Sequence, residues 1–499
     1  MTHYKLNSSS LKELSARVSV PKYNRENVKS GIVHVGVGGF HRAHEAMYLD
    51  QLLHDDSNSN WGICGIALLN FDQKIYNTLK EQDGLYTLVV KELDGTLTKR
   101  VIGSIVEYLF APENPKAVIE KMANPEVKII SLTITEGGYN INEATGEFNL
   151  NNPQIIQDSK NPENPTTIFG YLTQTLKLRK EQSAGAITIL SCDNIEGNGD
   201  VTKKMLLSYI KFAQPDLLDW IKENVSFPNS MVDRITPATM PTDISELKEV
   251  SGIEDQWPVV CESFQQWVIE DEFIAGRPNL ESVGVQFVKN VAPFEKMKLG
   301  LLNAGHSVVG ILGSLVGYST IDEAISDPAI QTFLKNYLDF EVTPILRDLD
   351  GMDLTAYKEM LIKRFSNIYI KDQIDRICSE TSAKMPKFIL PTVFEQLKSN
   401  KNISHASFII AAWAIYSLGF NEKKEAINIK DALAEKLFEK AKIAQTYPTA
   451  FLELEEVFGT LSQSEEFNTA FSKAYQKITS FGVKKCLEEM NSNFKNEKQ

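Results

Sequence analysis

The sequence predicts an α/β first half built on a parallel sheet, followed by a mostly α-helical second half. Three observations lead there. Short β-type runs alternate with helical stretches through the first 290 residues, the pattern of parallel strands joined by crossover helices. A glycine-rich turn stands between the first strong apolar run and the helix after it. Beyond about Val291 long helical periodicities take over. The expected domains are therefore 1–290 and 291–499.

Taken in order, Ile32–Val35 is a compact apolar run, and a helical pattern follows from about Arg42 to Leu53. Trp61–Leu68 reads as the second strand. Leu85–Val90 and Lys99–Ile102 flank Asp94-Gly95, a hairpin signal with a turn mechanism. Val127–Ile134 and Ala186–Leu190 are further strands. Gly137–Pro165, rich in Asn, Pro and Gly, reads as a long surface excursion, a small hairpin or a lid. Glu281–Val288 is the last expected strand. Helices are expected at Met297–Tyr318, Ala329–Tyr337, Ala356–Phe365, Ser407–Leu418, Ile429–Lys440 and Phe467–Asn491.

Composition excludes several classes. With 42% apolar and 23% charged residues, the chain is neither disordered nor fibrous. Lys plus Arg is 52 and Asp plus Glu is 65, a net charge of −13, which argues against nucleic-acid partners. The five cysteines are scattered and form no CxxC pair, so a zinc ribbon is not supported and reduced thiols in a cytoplasmic protein are expected. The first twenty residues carry no apolar signal segment. Leu299–Tyr318 is uncharged and nearly long enough to span a bilayer. Its Asn303, His306, two serines and five glycines point instead to a closely packed internal helix, so no membrane partner is expected.

The turn Val35-Gly36-Val37-Gly38-Gly39-Phe40-His41 follows a strand and opens a helix. Glycine at 36 allows a tight turn, and glycines at 38 and 39 let the backbone approach a pyrophosphate beside a helix N-terminus. This predicts a Rossmann-type dinucleotide site lined by Gly36, Gly38, Gly39, Phe40 and His41, although the third fingerprint glycine is replaced by His41. Alone, the motif also fits a glycine turn with no ligand. Asp72, just beyond the second strand, is placed to accept hydrogen bonds from an adenosine ribose and to favour NAD over NADP. An exposed loop aspartate is its other reading. His41 and His44 have metal-like i, i+3 spacing, but no third ligand accompanies them, and packing is the expected role; no metal is assigned.

Lys298-Leu-Gly-Leu-Leu-Asn303-Ala-Gly-His306 places an amine, an amide and an imidazole within an arc of roughly 140° on an α-helix. Buried polar groups cost free energy unless something bonds them. Oxidation of a secondary alcohol needs such a set: burial favours a neutral Lys298 as base, Asn303 can donate to the developing alkoxide, and His306 can hold a neighbouring hydroxyl. Asn194, after the strand ending at Leu190, stands where open α/β sheets bind ligands and could complete the oxyanion site. It reads equally well as a turn residue.

These segments together resemble a known family. Gly31–Met47 (GIVHVGVGGFHRAHEAM), Ser131–Tyr139 (SLTITEGGY), Ser191–Gly199 (SCDNIEGNG), Lys298–His306 (KLGLLNAGH) and the stretch from RFSN at Arg364 to SAKMPKFILP at Pro391 resemble the polyol-specific long-chain dehydrogenases and reductases, nearest their mannitol branch. The resemblance implies a zinc-independent, NAD-dependent enzyme interconverting D-mannitol and D-fructose, with the active site between two domains. It implies Lys298 as general base, Asn194 and Asn303 as the oxyanion hole, and His306 as a substrate-binding aid. It further implies Asp233, Arg376 and Lys384 as substrate contacts, and Glu136 on a proton path to solvent. Phe71 departs from the polar residue that many mannitol-branch members carry beside Asp72. A fructuronate reductase, with Arg376 holding a carboxylate, is the alternative within the family. A non-catalytic NAD-binding regulator is the alternative outside it. A monomer is compatible with the acidic surface.

Overall fold

The computed structural model describes residues 2–142, 145–346 and 352–496, the side chains of 493–496 excepted. The chain forms two compact units, Met1–Ala292 and Pro293–Gln499. The first is a Rossmann-type α/β unit and the second is helical.

Six parallel strands carry the first unit: β1 (Ile32–Val35), β2 (Ile63–Ala67), β3 (Ile105–Phe110), β4 (Ile129–Leu132), β5 (Ile187–Ser191) and β6 (Val225–Ser226). Their spatial order is β3-β2-β1-β4-β5-β6, so the order reverses between β1 and β4. β1, β2, β4 and β5 are buried at every position. That is why they read as continuous apolar runs rather than alternations. Val33, Val35, Cys64, Ile66 and Ile130 face one core. Ile32, Ile63, Ile129 and Leu190 face the other.

Three smaller sheets complete the unit, one of them only the parallel pair Tyr4–Lys5 and Ile253–Glu254. Tyr86–Lys91 pairs antiparallel with Leu97–Ile102, the expected hairpin, and parallel with Val259–Glu262. Ser230–Asp233 pairs antiparallel with Gln266–Glu270, which runs parallel to Gln286–Val288. Only this last piece of the expected Glu281–Val288 strand is extended. Leu280–Val283 is a tight 3-10 turn closed by Gly284 at φ +98°.

The Gly137–Pro165 stretch differs from its expectation as a surface excursion. It makes one antiparallel bridge, Ile141 to Phe148, and then a helix, Pro153–Lys160. Tyr139, Phe148 and Ile155 are core residues. The polar residues that suggested a loop are caps. Asn152 accepts from Gln154 N, and the buried Asp158 accepts from Thr166 N and Thr167 N. The helix expected over Arg42–Leu53 is two helices, Gly39–Ala43 and Glu45–Leu52, broken at His44.

The second unit is organised by the helix Ala292–Val316. It is the one helix among the described residues long and apolar enough to cross a membrane, and 72% of its most apolar window is buried inside the protein. Its glycines are packing sites. A Cβ on Gly310 would lie 2.8 Å from Cys378 Sγ, and one on Gly313 would lie 2.6 Å from the Ala324 Cβ. Ser404–Tyr416 is buried almost all round, with Trp413 Nε1 donating to Thr381 Oγ1 at 3.0 Å. The helix expected over Phe467–Asn491 breaks at Gly482 (φ +83°) into Glu465–Phe481 and Val483–Asn496. The helix expected from Ile429 begins only at Ala434.

Candidate active site

In the first unit, the sequence-predicted residues gather at the carboxyl ends of β1, β2, β4 and β5, around the reversal of strand order. Ligands of open α/β sheets bind at this place. Gly36 sits at φ +97°, and a Cβ there would lie 2.1 Å from the Thr133 carbonyl oxygen at the end of β4. Only glycine fits this contact. Thr133 Oγ1 locks the turn by donating to Gly36 O at 2.6 Å. Gly38 and Gly39 differ: a Cβ on either would meet nothing nearer than 3.9 Å. The first glycine is demanded by the fold, while the next two leave open space beside a helix start, as a pyrophosphate requires. The residues present therefore fit a dinucleotide.

Phe40 is half-buried and stacks on His44 with ring centroids 5.0 Å apart. The His41 side chain turns into the core and is 1% exposed. Any cofactor contact at that position is left to its main chain. Burial, followed by the nearby His34, Arg42 and His44, pushes the His41 imidazole well below its ordinary pKa. Asp72 lies five residues beyond β2 and is half-buried. Its carboxylate accepts from Leu69 N at 2.9 Å, so one oxygen already caps the turn it stands on. Phe71 beside it is 79% exposed.

One group of three possible metal ligands converges among the described residues: His34, His41 and Glu45, with ligand atoms within 4.8 Å. Sequence spacing pointed to His41 with His44, but His44 Nε2 instead bonds the Gln266 carbonyl at 2.9 Å. Within the trio His34 is hydrogen-bonded, while His41 stacks on it with neither ring nitrogen hydrogen-bonded in the protein. The His34 and His41 rings are 3.5 Å apart and within 8° of parallel, so their in-plane lone pairs run side by side rather than converge. His34 Nδ1 already meets Ser131 Oγ and Glu45 Oε2, and its Nε2 meets Thr133 Oγ1.

The loops after β4 and β5 are tied by Asp193. Its carboxylate accepts from Ile134 N (3.0 Å), Thr135 N (2.9 Å) and Tyr139 Oη (2.7 Å). Burial raises the Asp193 pKa, while these donors pull it back. Thr135 is held at φ +60° by this anchor. The exposed Glu136 and Asn194 stand on either side, each next in sequence to a bonded residue. Asp233 ends the strand Ser230–Asp233 and is 3% exposed. The following Arg234 donates to Ala43 O and to Glu262 O, fixing that strand end against the first helix.

In the second unit, Lys298, Asn303 and His306 share the helix Ala292–Val316. This helix is not α throughout: Leu299–Asn303 forms a π turn, with Ala304 N donating to Leu299 O. A π turn holds roughly 4.4 residues, or about 82° per residue. The three side chains then fall within an arc of about 60° instead of roughly 140°. Lys298 is 8% exposed. Asn303 Oδ1 and His306 Nε2 are buried and have no hydrogen-bond partner within the protein. Such atoms are costly to leave unsatisfied, and a bound hydroxyl could satisfy both of these.

His306 stacks on Phe365, centroids 4.2 Å apart, and Gly305 permits that approach. Burial drives the His306 imidazole well below its ordinary pKa, and Arg376, Arg364, Lys384 and Lys298 push the same way. The structure thus places three sequence-predicted cations, Lys298, Arg376 and Lys384, near the His306 imidazole. Arg376 is carried by the short helix Ile374–Ile377, which packs on the main helix at Gly310. Lys384 Nζ donates to Ile377 O at 2.8 Å. Sequence reasoning missed Asp193, Arg364 and Asp372. Asp372 alone left a local signal, an acid four residues before Arg376.

Comparison with known proteins shows the family and agrees with the fold. The mannitol dehydrogenase Rossmann domain matches residues 30–282, and the mannitol dehydrogenase C-terminal domain matches residues 290–479. The chain is 42% identical over 489 residues to a mannitol 2-dehydrogenase of Phaeosphaeria nodorum, covering 97% of this chain and 85% of that protein. It is 43% identical to one of Aspergillus terreus, covering 98% and 99% of the two chains. Among solved structures it is similar to the Pseudomonas fluorescens mannitol 2-dehydrogenase in ternary complex with NAD and D-mannitol (43% identity, TM-score 0.89, 98% and 99% coverage). It is also similar to a substrate-free D-sorbitol dehydrogenase (39% identity, TM-score 0.89, 96% and 99% coverage).

Proposed function

The chain belongs to the mannitol dehydrogenase family, and from that membership we propose that it is an NAD-dependent secondary-alcohol dehydrogenase interconverting D-mannitol and D-fructose at C2. One observation carries the reading at the level of chemistry. A buried amine shares one π-turned helix with an amide and an imidazole, of which Asn303 Oδ1 and His306 Nε2 are buried without protein partners. This is the donor and acceptor set that alcohol oxidation requires.

In this reading Gly36, Gly38, Gly39, Phe40 and Asp72 hold the cofactor. Bound NAD supplies the hydride acceptor. Lys298 takes the C2 hydroxyl proton as the C–H bond breaks, and returns it when the ketone is reduced. Asn303 and Asn194 donate to the oxygen as negative charge builds on it. His306, kept neutral by burial, retains a lone pair on one ring nitrogen and a proton on the other, so it can accept from one hydroxyl and donate to another. Asp233 accepts from polyol hydroxyls, and Arg376 and Lys384 donate to them. Glu136, exposed at its turn, carries the proton onward to water. Proton removal by Lys298 leaves no step that requires zinc.

The test is the loss of NADH absorbance with fructose, fructuronate, tagaturonate and xylulose, with NADPH in parallel. Rapid loss with fructose and NADH, and little with NADPH, is expected. Turnover only with a uronate would replace the polyol reading by fructuronate reductase. Tight NADH binding without turnover on any of them would favour a regulator.

A further inference from the structure

The guanidinium of Arg376 does not stand alone. Its Nε donates to Asp372 Oδ1 at 2.9 Å and its Nη2 to Asp372 Oδ2 at 2.6 Å, a side-on bidentate pair. Asp372 is 5% exposed, whereas the Arg376 side chain is 49% exposed. The carboxylate is therefore the fixed partner and the guanidinium the presented one. Two backbone ties hold Asp372 in place: Ile321 N donates to its carbonyl at 2.9 Å, and Thr320 bridges to Gln373. The pair sits one short helix away from His306, because Ile377 and Cys378 pack directly on Gly310, four residues beyond it on the same helix face.

This arrangement changes what Arg376 can recognise. An unpaired arginine beside a sugar site is a carboxylate receptor, since its planar fork matches two oxygens at once. Here the side-on edge is filled and the positive charge is balanced. Nη1 is the nitrogen this pair does not use, and it can donate to a neutral hydroxyl. A substrate carboxylate approaching the same guanidinium would also meet the charge of Asp372. Rejecting a competitor by placing like charge against it is a common route to specificity.

Resting on the reading above, we infer that Asp372 is a specificity-determining positioning residue. By occupying Arg376, it makes the site select neutral polyols and ketoses over sugar acids. It touches no reacting atom and acts only through Arg376.

The experiment compares D-fructose and D-fructuronate reduction by the unaltered enzyme, Asp372→Asn, Arg376→Gln and the double variant, with NADH. In Asp372→Asn the ratio of kcat/KM for fructuronate to that for fructose should rise at least ~10-fold, the size expected when an unpaired cation becomes available to an anionic substrate. The double variant should lose that gain. An unchanged ratio in a folded Asp372→Asn overturns the inference, and so does a gain that survives in the double variant. Should Asp372→Asn not fold, inhibition of the unaltered enzyme by D-mannonate decides. Arg376→Gln should leave its inhibition constant within about twofold if Asp372 already closes Arg376 to carboxylates. A rise of ~10-fold would show the guanidinium binding the acid and would refute the idea. If the unaltered enzyme fails to reduce fructose, the proposed function falls. Asp372 is then tested on fructuronate alone, whose kcat/KM should rise in Asp372→Asn and not in the double variant, and an unchanged value overturns the inference.

Discussion

Asp193→Ala should damage both stability and turnover, because one carboxylate ties together the two loops that carry Glu136 and Asn194, the proposed proton-path and oxyanion residues. In the folded chain it accepts two main-chain N–H groups and a phenol, at 3.0, 2.9 and 2.7 Å. Hydrogen bonds to a charged acceptor contribute about 1.5 kcal/mol each net, so three amount to about 4.5 kcal/mol. Part of that is recovered if water reaches the freed N–H groups. Thr135, a non-glycine residue at φ +60°, would also lose what holds it there. A net loss of about 3 kcal/mol is expected in urea unfolding. Tryptophan fluorescence is a suitable probe, since Trp61, Trp220, Trp257 and Trp267 all lie in the first unit. Asp193→Asn, which keeps one acceptor oxygen, should lose about half as much. Fructose reduction by folded Asp193→Ala should fall at least ~10-fold in kcat, as Glu136 and Asn194 lose their fixed neighbours. A loss below about 1 kcal/mol with normal kcat would refute the view that this carboxylate sets the two loops.

Lys298→Ala should lower turnover at least ~10²-fold while NADH binding, followed by fluorescence, stays near normal; near-normal turnover would remove Lys298 as the base. The two kinds of glycine should separate. Gly38→Ala meets no protein atom within 3.9 Å, so it should fold normally yet bind NADH at least ~10-fold more weakly. Gly36→Ala, with its Cβ forced onto Thr133 O, should lose about 2 kcal/mol or more of stability as well. A Gly38→Ala protein with unchanged NADH affinity would show that the open space there is not the pyrophosphate seat. Stability should also fall on the acid side. His41 and His306 are held well below the ordinary imidazole pKa. Below pH ~6.5 the unfolded chain therefore takes up protons that the folded chain refuses. The stabilisation is complete above that pH and is lost below it, at up to about 1.4 kcal/mol per histidine per pH unit. Urea midpoints that do not drop between pH 7.5 and 5.5 would contradict a neutral buried state for both rings.

The parallel strands were readable because burial on both faces leaves an uninterrupted apolar signature, and the glycine turn because Gly36 answers a single backbone clash. β3, Ile105–Phe110, escaped notice for the complementary reason. It is an edge strand with half-exposed positions, and it follows Leu97–Ile102 after only Gly103-Ser104. The helices of 374–398 are short and interrupted by Pro386 and Pro391, so no periodicity builds up in them. Asp193 was invisible because the groups that give it meaning, Ile134 and Thr135, lie 59 and 58 residues away. A carboxylate in a polar turn looks the same whether or not distant amides converge on it.

The helix carrying Lys298, Asn303 and His306 was legible in the sequence as one apolar helix, but its π turn was not, and the difference bears on the proposed mechanism. On an α-helix Asn303 would stand about 140° from Lys298, nearly across the cylinder, and His306 about 80° away. A base and an oxyanion donor so divided could not both reach one oxygen without distorting the helix. The π turn inserts what amounts to one extra residue between them and closes the angle to about 50°. That turn gives up regular α-helical hydrogen bonding, and such turns are frequent at functional sites, although this unit carries a second one at Leu338–Val342. The five residues involved, Leu-Gly-Leu-Leu-Asn, include the glycine at 300, where a Cβ would meet only Val342 Cγ1 at 3.1 Å. Val342 belongs to the other π turn of this unit, Leu338–Val342, so the two irregular turns pack on each other. The turn at Leu299–Asn303 falls between Lys298 and Asn303 and brings the two onto one face, as the proposed chemistry needs.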